Sequence, residues 1–162
     1  MEEMIYTTTN EIDLVTAQVR SLLEAEDDWV SGLSNISAYL NEILPHINWV
    51  GFYLVKKGQL VLGPFQGKVA CSRIAIGKGV CGTAVKEKES MRIFDVHQFP
   101  GHIACDSASN SELVIPIFNE DQVVAVLDID SPLLDRFTEI DQSCMEQVAQ
   151  IIANFLSLTY KK

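Results

Sequence analysis

Glu112-Leu113-Val114-Ile115-Pro116-Ile117-Phe118, then Asn119-Glu120-Asp121-Gln122, then Val123-Val124-Ala125-Val126-Leu127-Asp128-Ile129-Asp130, is the stretch whose reading decides the fold. Two runs of branched and aromatic apolar residues flank a short polar segment, which is the pattern of a β-hairpin. Upstream, Trp49–Val55 and Gln59–Leu62 flank Lys57-Gly58 and read as another hairpin. Between the hairpins lie short strand candidates, Arg73–Ile76 and Met91–Val96, separated by a short helix from about Val80 to Glu87. A loop from His97 to about Ser111 leads into the second hairpin. The flanks are helical. Asn10 to about Glu26 carries Leu14, Val15, Val19, Leu22 and Leu23 at helical spacing, with Thr8 and Glu11 in capping-box positions. Asp27 or Asp28 caps a second helix whose apolar face is Val30, Leu33, Ile36, Leu40 and Ile43, stopped by Pro45. A closing helix from about Glu139 to Leu158 offers Ile140, Cys144, Val148, Ile151, Ile152 and Phe155 as its buried stripe. Hairpin-linked strands with helices at both ends predict an α+β fold. Its central antiparallel sheet carries the terminal helices packed on one side, leaving the other side to the short helix and loops.

The bulk properties narrow the function. A chain of 162 residues suits one domain over 1–162, with enough core to fold without disulfides. The formal charge of −10 argues against nucleic acid or an anionic membrane as the main partner, because both require a positive patch. Met1-Glu2-Glu3-Met4 puts acids where a secretory signal carries bases, and no apolar run is long enough to cross a bilayer. The expected location is the cytoplasm, with the four cysteines reduced at rest.

Those cysteines have unlike surroundings. Cys144 lies on the apolar stripe of the last helix and reads as a small hydrophobe. Cys71 stands at a strand entrance. Cys81 falls in the first turn of a glycine-led helix, where free N–H groups and the macrodipole favour a thiolate. Cys105 sits in the polar loop His102–Ser111, which supplies no apolar periodicity to bury it. Structural zinc sites bring ligands in close pairs, and the cysteine spacings here contain none, so no metal is expected; His97 and His102 read as loop hydrogen-bonders.

The acids at the strand ends form a second constellation. Asp128 and Asp130 are two apart in a strand and share a face. A three-residue hairpin loop pairing Asn119 with Val123 would set Glu112 directly across from Asp130, whereas a two-residue loop would turn Glu112 to the other face. In the first register the carboxylates crowd one patch. One of them should then keep its proton as a general acid while another stays anionic and grips a cation.

Taken together, these residues resemble the free methionine-(R)-sulfoxide reductases, a family built on a GAF domain. The segments that carry the resemblance are Asn48–Tyr53, Gly63–Lys68, Gly77–Gly82, Phe94–Val96, His102–Asp106, Ser111–Pro116 and Leu127–Ser131. The resemblance implies a GAF-type fold with its ligand pocket under the short helix and loops. It implies that Cys105 is the attacking cysteine, that Cys71 and Cys81 are the other redox cysteines, and that Glu112, Asp128 and Asp130 hold the amino group and assist the sulfoxide oxygen. Trp49 and Tyr53 would line the pocket. Thioredoxin, supplied by NADPH, would be the external reductant, no cofactor would be bound, and pairing of terminal helices would give a homodimer. The alternative is a GAF module that senses a small ligand or redox state without turnover. Against it stand the clustered thiols and acids, and the expectation that the chain has no output module.

Overall fold

The second hairpin closes with a two-residue turn, yet it brings Glu112 opposite Asp130. In the computed structural model, which describes residues 9–102 and 108–161, Asn119 pairs with Gln122 and Phe118 with Val123. The register then shifts by one residue, so that Ile117 pairs with Ala125 and the extra residue is Val124. This β-bulge cancels the effect of the shorter turn. The three-residue loop is corrected to two residues, with Glu120 at φ +56°, and the juxtaposition of the acids stands.

The elements follow the order read from the sequence. They are α1 (Thr9–Leu23), α2 (Trp29–Ile43), β1 (Trp49–Lys56), β2 (Gln59–Gly67), β3 (Arg73–Ala75), α3 (Gly79–Glu87), β4 (Met91–Ile93), β5 (Ser111–Asn119), β6 (Gln122–Ser131) and α4 (Glu139–Thr159). The strands form a six-stranded sheet in the order β3-β2-β1-β6-β5-β4, with every pair antiparallel. Lys57 and Gly58 both take positive φ, as a tight hairpin turn demands. Asp28 caps α2 by accepting from the Ser31 N–H at 3.0 Å, while Thr8, the cap expected for α1, lies outside the described residues.

Two boundaries differ from expectation for identifiable reasons. β2 runs on through Gly63 and Pro64 to Gly67 by pairing with β1, while on its outer edge β3 pairs only with Gln59–Val61 and the Leu62 N–H makes one further bond to the Ser72 carbonyl at 3.1 Å. A proline is tolerated there. The strand expected over Met91–Val96 stops at Ile93. Asp95 then caps a single 3-10 turn over Val96–Gln98, its carboxylate accepting the His97 N–H at 3.0 Å.

The terminal helices cover one face only. α2 lies over β1 and β2, α4 over β5, and α1 rests on α2 and α4. Val50, Phe52, Leu54, Leu113, Ile115, Ile117, Leu127 and Ile129 meet the helix residues Leu33, Ile36, Leu40, Val148 and Ile152, all buried. Each such side chain contributes roughly 1.5–3 kcal/mol. Leu14, Leu22, Val30 and Ile140, expected on the buried stripes, are instead exposed. Where β6 crosses to α4, Arg136 Nη1 donates to Asp141 Oδ2 at 2.9 Å and Arg136 Nε donates to the Pro45 carbonyl at 2.9 Å, both side chains being almost fully buried. Asp141 also completes a capping box with Thr138. No helix among the described residues is long and apolar enough to cross a membrane.

Candidate active site

On the opposite face the strand pairings lay the candidate residues out in rows. Glu112, Asp130, Trp49 and Gly67 are successive partners across β5, β6, β1 and β2; Val114, Asp128, Gly51 and Phe65 form the next row. Tyr53 follows two residues on from Gly51, on the same face. α3 lies over this floor, held close by Gly82, where an added Cβ would meet the Ala75 carbonyl oxygen at 2.4 Å. Between floor and helix is a cavity of about 50 Å³ whose walls include Trp49, Tyr53, Cys81, Glu112, Asp128 and Asp130.

The aromatic wall is fixed by stacking and hydrogen bonds. Trp49 stacks on Phe65 at 5.1 Å and on Tyr53 at 6.0 Å between ring centroids. Its indole N–H donates to the Lys68 carbonyl at 3.1 Å, and the Tyr53 hydroxyl donates to the Cys71 carbonyl at 2.9 Å. At Gly67, φ is +139° and an added Cβ would strike the Trp49 ring at 2.5 Å, so only glycine fits there. Two pocket aromatics therefore hold the strand exit that carries Cys71. Burial and the neighbouring acids, Asp128 first among them, push the Tyr53 hydroxyl far up, so it remains a neutral donor.

The acids and Cys81 meet in the interior. Cys81 Sγ lies 4.0 Å from Glu112 Oε2, and the nearest ligand atoms of Cys81, Glu112 and Asp128 are all within 4.8 Å of one another. Burial, reinforced by the charges of Asp128 and Asp130, raises Glu112 well above the usual carboxylate range. Burial also raises Asp128, but hydrogen bonds from Glu112 and Cys81 oppose it. Of the two carboxyls, Glu112 is pushed up further and Asp128 is the one held back by hydrogen bonds from Glu112 and Cys81, so a proton shared between them rests on Glu112. Asp128 Oδ1 is nonetheless buried without a hydrogen-bond partner, which for a carboxylate is a costly omission unless a ligand supplies one.

For Cys81 the expectation of a thiolate fails. It is in the first turn of α3 as read, but burial, followed by the charges of Asp128 and Glu112, raises its pKa well above that of a free thiol. Desolvation outweighs the helix dipole. Cys144 is a fully buried thiol on the helix-covered face, as its spacing implied, with its pKa pushed up to about 12 by burial. Cys71 is disulfide-bonded, whereas Cys81 and Cys144 are free. Cys105, expected to be the attacking thiol, lies outside the described residues. The chain that follows it is anchored to the acid row: Asn48 Nδ2 donates to Ser109 Oγ at 3.1 Å, the Asn110 N–H to the Ser131 carbonyl at 2.7 Å, and the Asn48 N–H to the Asp130 carbonyl at 2.9 Å.

The chain matches the model of the GAF domain over residues 33–157. It is 51% identical over 143 residues to the free methionine-R-sulfoxide reductase of Escherichia coli, spanning 88% of this chain and 87% of that protein. The chain belongs to the free methionine-R-sulfoxide reductase family of GAF domains. Solved structures agree with that assignment. The fRMsr of Staphylococcus aureus in its reduced form superposes with a TM-score of 0.88 at 51% identity, covering 96% of this chain and 99% of that one. The free methionine-R-sulfoxide reductase of Neisseria meningitidis, solved in complex with its substrate, gives a TM-score of 0.88 at 38% identity over 98% of both chains.

Relative to the sequence reading, the fold brings together Cys81, Glu112, Asp128, Asp130, Trp49 and Tyr53 on one cavity. It adds wall residues that were not assigned to the site: His102, Ser109, Lys78 at the N-cap of α3, and Gly79 and Val80 in its first turn. His102 is half-buried and its pKa is lowered, mainly by burial, which keeps the ring neutral. The glycines of Gly77-Lys78-Gly79 were the available signal for the helix wall. For Ser109 the sequence holds no signal.

Proposed function

We propose that this chain reduces free L-methionine (R)-sulfoxide to L-methionine, and that the unpartnered, buried Asp128 Oδ1, beside the buried carboxyl of Glu112, is the observation that carries this reading. A free amino acid brings an ammonium group, which pairs with Asp128. Its carboxylate finds the first-turn amides of α3, which have no partner within the helix and no side-chain cap. The S-methyl end rests against Trp49 and Tyr53. Glu112, the group that keeps its proton, donates to the sulfoxide oxygen and makes the sulfur electrophilic; Asp130, next to it, orients the same oxygen.

The Cys105 thiolate then attacks sulfur. A second proton lets the oxygen depart as water, and a water molecule then attacks Cys105 Sγ and gives a proton back. Cleavage of the transient S–S bond releases methionine and leaves Cys105 as a sulfenic acid. The Cys71 thiol condenses with it, releasing water and forming a disulfide, and thioredoxin reduces that disulfide by thiol exchange. The disulfide-bonded state of Cys71, with Cys81 still a free thiol, supports Cys71 rather than Cys81 as the resolving residue. Electrons come from the thioredoxin system in the cytoplasm, and no bound cofactor takes part. The test is NADPH consumption with thioredoxin, thioredoxin reductase and free methionine (R)-sulfoxide. Wild type should turn over and Cys105→Ser should not. Absence of turnover by folded, reduced wild type, with dithiothreitol as well, would leave the GAF sensor reading.

A further inference from the structure

We infer that the reduced enzyme binds a thiophilic divalent cation of the zinc class at Cys81, Glu112 and Asp128, in the place of the substrate's ammonium group. The three residues come from α3, β5 and β6, each is fully or almost fully buried, and their ligand atoms lie within 4.8 Å of one another. On a tetrahedral zinc ion, Zn–S and Zn–O bonds place a sulfur and a neighbouring oxygen about 3.5–3.7 Å apart. The Cys81 Sγ to Glu112 Oε2 separation of 4.0 Å therefore has to close by only a few tenths of an ångström. Independently of the clustering, Asp128 Oδ1 is a buried carboxylate oxygen with no partner on the cavity side of the sheet. It is an acceptor that a cation satisfies.

The donor set selects the cation. One sulfur and two carboxylates suit zinc, cadmium or cobalt, whereas magnesium and calcium demand oxygen ligands throughout. Binding displaces the thiol proton of Cys81 and the proton held by Glu112 to solvent, with no change of oxidation state. This site is distinct from the redox pair, since Cys71 is disulfide-bonded while Cys81 is free. The consequence for activity, inhibition competitive with the amino acid, rests on the function proposed above; the binding itself does not.

Equilibrium dialysis of the reduced full chain against Zn²⁺, with Mg²⁺ as control, tests it. The expected result is one zinc and no magnesium per chain, retained in the Cys71→Ser/Cys105→Ser double variant and weakened at least tenfold in Cys81→Ser and in Asp128→Asn. Thermal melting shows whether each variant is folded. If Cys81→Ser is not, Co²⁺ added to the double variant replaces it as the test, where a thiolate-to-cobalt absorption band is expected from Cys81. No zinc bound, zinc lost in the double variant, unchanged binding in folded Cys81→Ser, or no cobalt–thiolate band would each overturn the inference. Zinc binding without turnover by any form would sink the reductase reading and leave this site standing.

Discussion

The two faces of the sheet are built from alternate residues of the same strands, and they have been put to opposite uses. Leu113, Ile115, Leu127 and Ile129 point to the helices and are wholly apolar in their surroundings. Glu112, Asp128 and Asp130, their immediate neighbours in sequence, point to a cavity where two buried carboxyl groups and a thiol share hydrogen bonds. The two free cysteines repeat the contrast. Cys144 and Cys81 are both buried thiols, but the first touches a hydrocarbon core and the second a cluster of acids. The helix-covered face gains free energy by burial; the pocket face gives some up to keep a proton and an unpaired oxygen where a ligand can use them.

Substitutions that remove one side of this contrast should separate activity from stability. The largest effect is expected for Glu112→Gln, which keeps the shape and removes the transferable proton. Its kcat for free methionine (R)-sulfoxide should fall by about 10²–10⁴-fold while its thermal midpoint holds or rises. A kcat within threefold of wild type would remove Glu112 from proton transfer. Leu127→Ala does the converse, and should lower the urea-derived stability by about 2–5 kcal/mol with kcat and KM of the folded fraction unchanged. Asp128→Asn deletes one charge from the cavity and should raise KM by about 10–100-fold, the worth of a charge-assisted bond.

The smallest effect concerns pH. Because the folded-state pKa of Glu112 lies well above its unfolded value of 4.5, both states hold the proton below that value. Above it the unfolded chain releases the proton first, so the contribution of Glu112 to stability falls as pH rises from about 4.5 toward its folded pKa. The stability difference between Glu112→Gln and wild type should therefore grow in the variant's favour from pH 5 to pH 7, measured by urea titration. A difference that shrinks over that range would mean Glu112 is ionised in the folded protein.

The helix-covered face was the more legible in sequence, since apolar spacing reports burial directly. Val19, Leu33, Ile36, Leu40, Val148 and Ile152 were read as buried and are. The acid cluster was legible as an alternation of residue types, but its register was reached through a three-residue turn that the fold replaces with two residues and a bulge at Val124. Residue type does not encode a bulge that tertiary pairing imposes. Cys81 was located correctly in its helix and misjudged in chemistry, because desolvation depends on what the sheet presents to it. The Arg136–Asp141 pair was missed altogether, although Thr138 and Asp141 stand three apart before an apolar helix as a capping box does.

The account turns on a cavity that recognises a free amino acid through Asp128. The most direct measurement compares kcat/KM for free methionine (R)-sulfoxide with that for its N-acetyl derivative, which keeps the sulfoxide but has no ammonium group. Loss of about 100-fold or more on acetylation, much reduced in Asp128→Asn, is the result the account requires. Equal rates on both compounds in wild type would contradict it.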